Sequence, residues 1–362
     1  MIALFPILEL LLYQENLILW PITPTFLYNT HESIIMTGLS DSFQRPINYL
    51  RISVTDRCNL RCVYCMPVGG ICPMAHEDIL RYEEILTIAK AAAEMGIDKI
   101  RLTGGEPLVR GGLPDLVRML AGIKTINDIS LTTNGTMLAR CADELKSAGL
   151  NRVNISLDSL KPDRFQAITR SEAELSDVLK GIEAAHKAGL EPVKLNMVVI
   201  PGVNDDEVLD FAKKTINEDW HVRFIELMPV VGETENLQFV AASEMKEKIE
   251  KLGKLEPCLP TVGNGPAKYF KLPKAKGTIG FITPISEHFC FNCNRLRLTA
   301  DGKLKPCLLS AYEVDLKGPL RAGVGAEGLK KLIEEAVANK PHRHHIAEGD
   351  VPRQRPFSQV GG

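Results

Sequence analysis

Six short apolar runs recur at regular intervals, over residues 49–54, 99–103, 128–132, 152–157, 193–200 and 222–227. Their length and their Val, Ile and Leu content mark them as buried strands. Between them lie stretches with apolar residues at helical spacing, over 82–95, 113–121, 138–148, 175–188 and 205–216. Gly96, Gly149 and Gly189 come just past three of these stretches, where a left-handed cap closes a helix. Strands alternating with helices imply βαβ units and a parallel sheet. The rhythm therefore confines the chain to the α/β class, as six units of a partial (β/α) barrel or as a doubly wound sheet. In barrels of this kind the reactive groups gather at the C-terminal ends of the strands. The chemically distinctive residues fall there: Cys58 to Cys65 after the first run, Gly104-Gly105-Glu106-Pro107 after the second, Thr132 to Asn134 after the third, and Ser156 and Asp158 on the fourth.

Past Met228 the rhythm breaks into a Gly-, Pro- and Lys-rich region with one amphipathic helix over 243–252 and strand-like pieces over 269–272 and 279–282. The expected division is a partial barrel over 36–229 and a smaller C-terminal α+β region over 230–362. Residues 1–35 carry an apolar run too short to span a bilayer and interrupted by Glu9, without the basic start of a signal peptide. They are expected to be a poorly packed extension, or to precede a working start near Met36.

Lysine and arginine total 43 against 45 acidic residues, so the formal charge is −2. No bulk field favours nucleic acid or an anionic membrane, and any anion site must be local. Nine cysteines with six in two tight sets read as metal ligation in a reducing, cytoplasmic compartment, not as a disulfide framework. The first set, Cys58, Cys62 and Cys65, supplies three thiolates. An iron–sulfur cube takes four, so three leave one iron open, which is a catalytic design. A three-cysteine zinc site is the alternative. The second set, Cys290, Cys293 and Cys307, again supplies three; zinc with His288 as a fourth ligand is its alternative. Arg295 and Arg297 follow directly and would face one anion if they lie on a strand. Cys72, Cys141 and Cys258 read as non-ligands, with Cys141 on a helix face. The His342-Arg343-His344-His345 run reads as a solvated turn after Pro341.

The first cysteine set, Tyr64 and the Gly-Gly-Glu-Pro element together resemble the radical S-adenosylmethionine (SAM) enzymes, which favours the partial barrel over the doubly wound sheet. With the second set and the terminal Gly361-Gly362, the chain from about Asp41 onward resembles the GTP 3′,8-cyclase family of that superfamily. The resemblance implies a partial (β/α)6 TIM-like barrel with two 4Fe–4S clusters and radical cyclisation of GTP, the first step of molybdenum cofactor biosynthesis. It places Cys58, Cys62 and Cys65 on the SAM cluster and Cys290, Cys293 and Cys307 on the substrate cluster. It gives Tyr64, Gly105, Ser156 and Met228 to SAM. Arg51, Arg101, Thr132, Lys194 and the stretch Arg295, Leu296, Arg297 go to GTP. Arg295 and Arg297 with the first cysteines form its catalytic set. It further implies an electron donor, product hand-off to cyclic pyranopterin monophosphate synthase, a homodimer, and neither nucleic-acid nor membrane partners. Family tails often carry Met or Ile before the glycines, where this chain has Val360. A radical SAM peptide-modifying enzyme would carry more C-terminal cysteines. A non-catalytic iron–sulfur or zinc protein would leave the strand–helix array without a task.

Overall fold

The structure, a computed structural model, describes residues 38–228, 238–259, 262–263, 265–348 and 355–361. The expectations for residues 1–35, for the division at 229–230 and for Gly362 lie outside the described residues. Six strands, β1 (Tyr49–Ser53), β2 (Lys99–Thr103), β3 (Asp128–Thr133), β4 (Arg152–Ser156), β5 (Lys194–Val199) and β6 (His221–Glu226), pair in chain order and all in parallel. The intervening helices are α1 (Tyr82–Glu94), α2 (Leu113–Ala121), α3 (Ala142–Ser147), α4 (Pro162–Thr169), α5 (Leu175–Lys187) and α6 (Val208–Asn217). The six parallel strands with their helices form the expected partial (β/α)6 barrel, and no helix among the described residues is long and apolar enough to cross a membrane.

Beyond β6 come α7 (Ala242–Glu250), β7 (Glu256–Cys258), β8 (Lys268–Lys271), β9 (Ile279–Ile282), β10 (Arg295–Leu298), β11 (Lys303–Lys305) and β12 (Val314–Asp315). These strands do not build a separate sheet. β9 joins β6 in parallel and β10 joins β1 in parallel, with a hairpin outside each. The result is one twelve-stranded sheet, ordered β12-β11-β10-β1-β2-β3-β4-β5-β6-β9-β8-β7. Chain remote in sequence therefore flanks both ends of the barrel, and β10 brings Arg295 and Arg297 beside β1. The chain closes with α8 (Lys317–Arg321), α9 (Ala326–Ala338) and α10 (Phe357–Val360).

Alternation along the strands explains where the core lies. Leu50 and Ile52, Ile100 and Leu102, Val153 and Ile155, Leu195 and Met197, and Leu296 and Leu298 belong to one buried cluster with the helices' apolar faces. The residues between them are Arg51, Arg101, Asn154, Asn196 and Arg297. Side chains on a strand alternate faces, so the helix-covered face is apolar and the opposite face is polar. Such an inner face cannot pack as the usual branched-aliphatic barrel core.

Three local readings need correction. The helix expected over 138–148 is a 3-10 turn, Leu138–Arg140, followed by α3, because Cys141 at φ −139° breaks the run. Leu138 and Leu145 are both buried, so the apolar spacing holds although the backbone does not. Cys141 is accordingly the residue between the two pieces. The 205–216 helix likewise begins at Val208, after a 3-10 turn over Asp205–Glu207. Third, His344 is buried and not solvated, whereas His342 and His345 are exposed.

Candidate active site: two cavities with a shared wall

The loop after β1 carries Cys58, Cys62 and Cys65. It turns on hydrogen bonds from the Cys65 and Met66 amides to the Cys62 carbonyl, 2.9 and 3.1 Å. The end of α4 holds it from outside: the Arg61 amide donates to Thr169 and the Val63 amide to Ile168, 2.8 and 3.0 Å. The three sulfurs open into one cavity with Tyr64, Gly105, Ser156 and Met228. Burial pushes Cys58 up to about 11 and Cys65 up to about 12, and raises Cys62 further, with Asp158 adding to the effect. A metal group held here would have to displace these protons by coordination.

The double glycine after β2 has a steric cause. A Cβ at Gly105 would lie 2.3 Å from the Arg57 carbonyl oxygen, and one at Gly104 would lie 2.6 Å from that of Thr55. Their absence lets the Gly105 and Glu106 amides donate to those same carbonyls, 2.7 and 2.8 Å. Glu106 is buried and accepts from Thr133 Oγ1 at 2.7 Å and from the Asn134 amide at 2.6 Å. Burial still pushes its carboxyl up to about 7. Asn134 in turn donates to Asn59 Oδ1 at 2.8 Å. The loops after β1, β2 and β3 are thus tied into one rim. Across the cavity the Tyr64 hydroxyl donates to Asp158 Oδ2 at 2.7 Å, and the Val198 amide donates to Oδ1 at 2.8 Å.

The polar inner face of the barrel lines a second cavity. Arg297, Arg51 and Arg101 stand in register on β10, β1 and β2, forming a row across three neighbouring strands. Arg152, Lys194, Arg223 and Arg295 complete seven cations around it, and no acidic residue lines it among the described residues. Most are buried. Burial, then Arg295, lowers Arg297 to about 10; burial, then Arg223 and Arg152, lowers Lys194 to about 7. Lys194 Nζ donates to the Val262 carbonyl at 2.5 Å, and Arg223 donates to Asn154 Oδ1 at 2.5 Å. Among the described residues Arg152 has a carboxylate partner, Asp128. Among the described residues Nε of Arg101, Arg152 and Arg223 and the Tyr49 hydroxyl have no hydrogen-bond partner. Buried cations without counter-charge are costly unless an anion joins them. The cavity is built for a polyanion.

Cys290, Cys293 and Cys307 open into this same second cavity. Burial raises the Cys290 thiol as it does the first set, but Cys293 sits in the reverse electrostatic setting. Burial pulls the Cys293 thiol up, but Arg295 and Lys340 outweigh it and bring it down to about 6. Lys340 is fixed there by donating to the carbonyls of Arg295 and Pro306, 2.8 and 2.6 Å. Thr132, Asn196, Ile225 and Met228 line both cavities, so the two share a wall. The C-terminal tail enters from the end of α10, where the Gly361 carbonyl accepts from Arg51 and Arg297.

Of the residues singled out in the sequence, Cys58, Cys62, Cys65, Tyr64, Gly105 and Ser156 fall on the first cavity, and Thr132 and Met228 on both. Arg51, Arg101, Lys194, Arg295, Arg297, Cys290, Cys293 and Cys307 fall on the second. The Leu296 side chain does not: it packs into the core on the opposite face. Tyr49, Arg152, Asn196, Arg223 and Lys340 were not anticipated. A cation in mid-strand, His-Val-Arg223-Phe-Ile, was the available signal for Arg223.

Residues 52–215 match the radical SAM superfamily model, and 220–346 match the Molybdenum Cofactor Synthesis C model. A GTP 3′,8-cyclase of Pelotomaculum thermopropionicum is 56% identical over 327 residues, covering 90% of this chain and 100% of the relative. One from Moorella thermoacetica is 54% identical over 325 residues, with 90% and 100% covered. Among solved structures, Streptococcus suis SuiB bound to S-adenosylmethionine is 13% identical with a TM-score of 0.56, over 78% of this chain and 68% of that one. At that identity SuiB speaks for the fold alone. The chain belongs to the GTP 3′,8-cyclase family of radical SAM enzymes.

Proposed function

We infer that the chain performs the reaction of its family, radical cyclisation of GTP to (8S)-3′,8-cyclo-7,8-dihydroguanosine 5′-triphosphate, opening molybdenum cofactor biosynthesis. One observation carries this reading: a three-cysteine cavity shares a wall with a cavity lined by seven cations and, among the described residues, by no acidic side chain. A 4Fe–4S cluster with SAM supplies a 5′-deoxyadenosyl radical when bound. Cys58, Cys62 and Cys65 would hold that cluster, and Tyr64, Gly105, Ser156 and Met228 would surround SAM.

The chain's own residues bind and orient the substrate. Arg51, Arg101 and Arg297 offer a row of charge-assisted donors to the triphosphate, with Lys194, Arg223 and Arg295 flanking it. Cys290, Cys293 and Cys307 would hold a second 4Fe–4S cluster facing the guanine, beside the cations Arg295 and Lys340. Thr132 Oγ1 and Asn196 Oδ1 are buried on the shared wall without partners among the described residues, and would meet ligand atoms there. The enclosed wall keeps the 3′ hydrogen of the ribose as the donor within reach and excludes water. An external one-electron donor is needed, and the product goes to cyclic pyranopterin monophosphate synthase.

The test is anaerobic reconstitution with iron and sulfide, then dithionite, SAM and GTP. 5′-Deoxyadenosine should form in a GTP-dependent way together with the cyclised nucleotide. Cys290→Ser should lose the nucleotide product. 5′-Deoxyadenosine formed without regard to GTP would keep the radical SAM chemistry and sink the substrate.

A further inference from the structure

Beside the second cysteine set, Nδ1 of His288 and the ring nitrogens of His344 make no hydrogen bond of normal geometry among the described residues, although the Pro284 carbonyl lies close enough to the His344 ring to favour its charged form. Buried polar atoms that pair with nothing are rare and call for a ligand. His344 is 6% exposed and lines the cation-rich cavity. The two rings meet edge to face with centroids 4.8 Å apart. One ligand atom each from His288, Cys290 and His344 lie within 4.8 Å of one another.

The grouping is held from behind. Arg45 is buried and ion-paired to Asp41 at 2.5 Å. It donates to the Cys290 carbonyl at 2.7 Å, to His342 at 2.9 Å and to Pro341 at 2.7 Å. One guanidinium thus clamps the Cys290 turn onto the 341–342 segment, and His344 follows two residues later.

We propose that His288, Cys290 and His344 form a mononuclear site for a divalent cation of the zinc class in the cluster-free chain, mutually exclusive with the second cluster because Cys290 serves both. Two imidazoles and a thiolate are a borderline-soft donor set that suits zinc, with a fourth position left to water. Tetrahedral bonds of about 2.0–2.3 Å need ligand atoms nearer than 4.8 Å, so metal binding must draw the three side chains together. Binding releases the Cys290 thiol proton to solvent and involves no redox step. A chain that meets zinc before iron and sulfide is therefore held short of the second cluster. Only this exclusivity rests on the second-cluster reading; the metal site itself stands on the three side chains.

The test uses the full-length chain with Cys58, Cys62 and Cys65 each replaced by serine, so that the first set cannot bind metal. The anaerobic, metal-free protein is titrated with Co²⁺ and then competed with Zn²⁺. One equivalent of tetrahedral Co²⁺ should appear, with charge-transfer intensity of a single thiolate. His288→Ala and His344→Ala should each weaken it by more than ~tenfold, beyond the cost of losing an outer partner. Cys293→Ser and Cys307→Ser should leave it unchanged. If His344→Ala does not fold, His344→Gln keeps the bulk and serves in its place. Absence of binding, three-thiolate intensity, or dependence on Cys293 and Cys307 with indifference to His344 would overturn the site. Zinc-loaded protein should then fail to take up a cluster from iron and sulfide, and His344→Ala should take it up despite zinc. Uptake by the zinc-loaded protein would overturn the exclusivity. Failure of the zinc-free protein would count against the second cluster and leave the cobalt result standing.

Discussion

Arg51 and Arg297, paired across β1 and β10, both donate to the carbonyl of Gly361, at 3.0 and 2.8 Å. Two of the cations offered to a triphosphate are thus already engaged by the chain's own tail. Gly361 takes φ +68°, and a Cβ there would lie 2.4 Å from Thr103 Cγ2. Both features exclude a side chain.

Gly361→Ala should therefore dislodge the tail. Backbone strain of ~1–3 kcal/mol corresponds to roughly a 5- to 150-fold loss of any property that needs the seated tail. Turnover should fall by that order while the melting temperature hardly changes. Adding Thr103→Ser, which removes the opposing methyl, should recover part of the loss. An unchanged turnover in Gly361→Ala would show that the seated tail has no part in it.

Lys194 gives substrate binding a pH dependence. Burial and neighbouring Arg223, Arg152 and Arg101 hold its ammonium down at about 7. A bound phosphate favours the charged form, so above that pH binding must take up a proton. GTP affinity should be greatest below pH 7 and fall as pH rises, by at most ~tenfold per unit. Lys194→Arg, charged throughout, should flatten the slope between pH 7.5 and 9. Equilibrium titrations read this directly; an undiminished slope would point to another group.

Two buried arginines lining the same cavity should fail differently. Arg223 donates to a neutral amide, Asn154. Arg223→Ala should weaken GTP binding by ~10- to 150-fold, the worth of a charged hydrogen bond, and leave SAM binding unaltered. Arg152 is paired with Asp128, and both side chains are largely buried. Arg152→Ala orphans that carboxylate and should cost ~3–5 kcal/mol of stability. Calorimetry and binding on the same two proteins separate the cases.

Tyr64 and Asp158 supply a stability test. Burial pushes the Asp158 carboxyl up to about 6, and the Tyr64 hydroxyl acts against that rise. A carboxyl raised above its unfolded value holds its proton more tightly when folded, so ionisation above pH 6 costs stability. Tyr64→Phe removes the donor and enlarges that cost. Melting of the cluster-free protein should show a loss of ~1.5–3 kcal/mol at pH 8 and a smaller one at pH 5. Equal losses at both would contradict this sign.

Much of this was legible in the chain. The six strands were visible because their apolar faces alternate over short runs, and the cysteine and Gly-Gly-Glu-Pro elements mark strand ends. The third run, expected over 128–132, ends one residue later, at Thr133. Arg152 and Arg223 were hidden because one charge in a strand reads as a surface residue until the partner strands are known. The flanking positions of β9 and β10 are long-range pairings that no local pattern encodes. α9, 13 residues long, was missed although Leu329, Ile333, Ala336 and Val337 fall on one face. The burial of His344 depends on Arg45, almost three hundred residues upstream.

The central claim is that the first cavity delivers a radical across the shared wall to a nucleotide held by the inner cations. The most direct measurement uses GTP deuterated at the ribose 3′ carbon and follows the label. Deuterium should appear in 5′-deoxyadenosine, and its transfer should be lost in Arg223→Ala at low GTP and return at saturation. Unlabelled 5′-deoxyadenosine at saturating deuterated GTP would contradict the account.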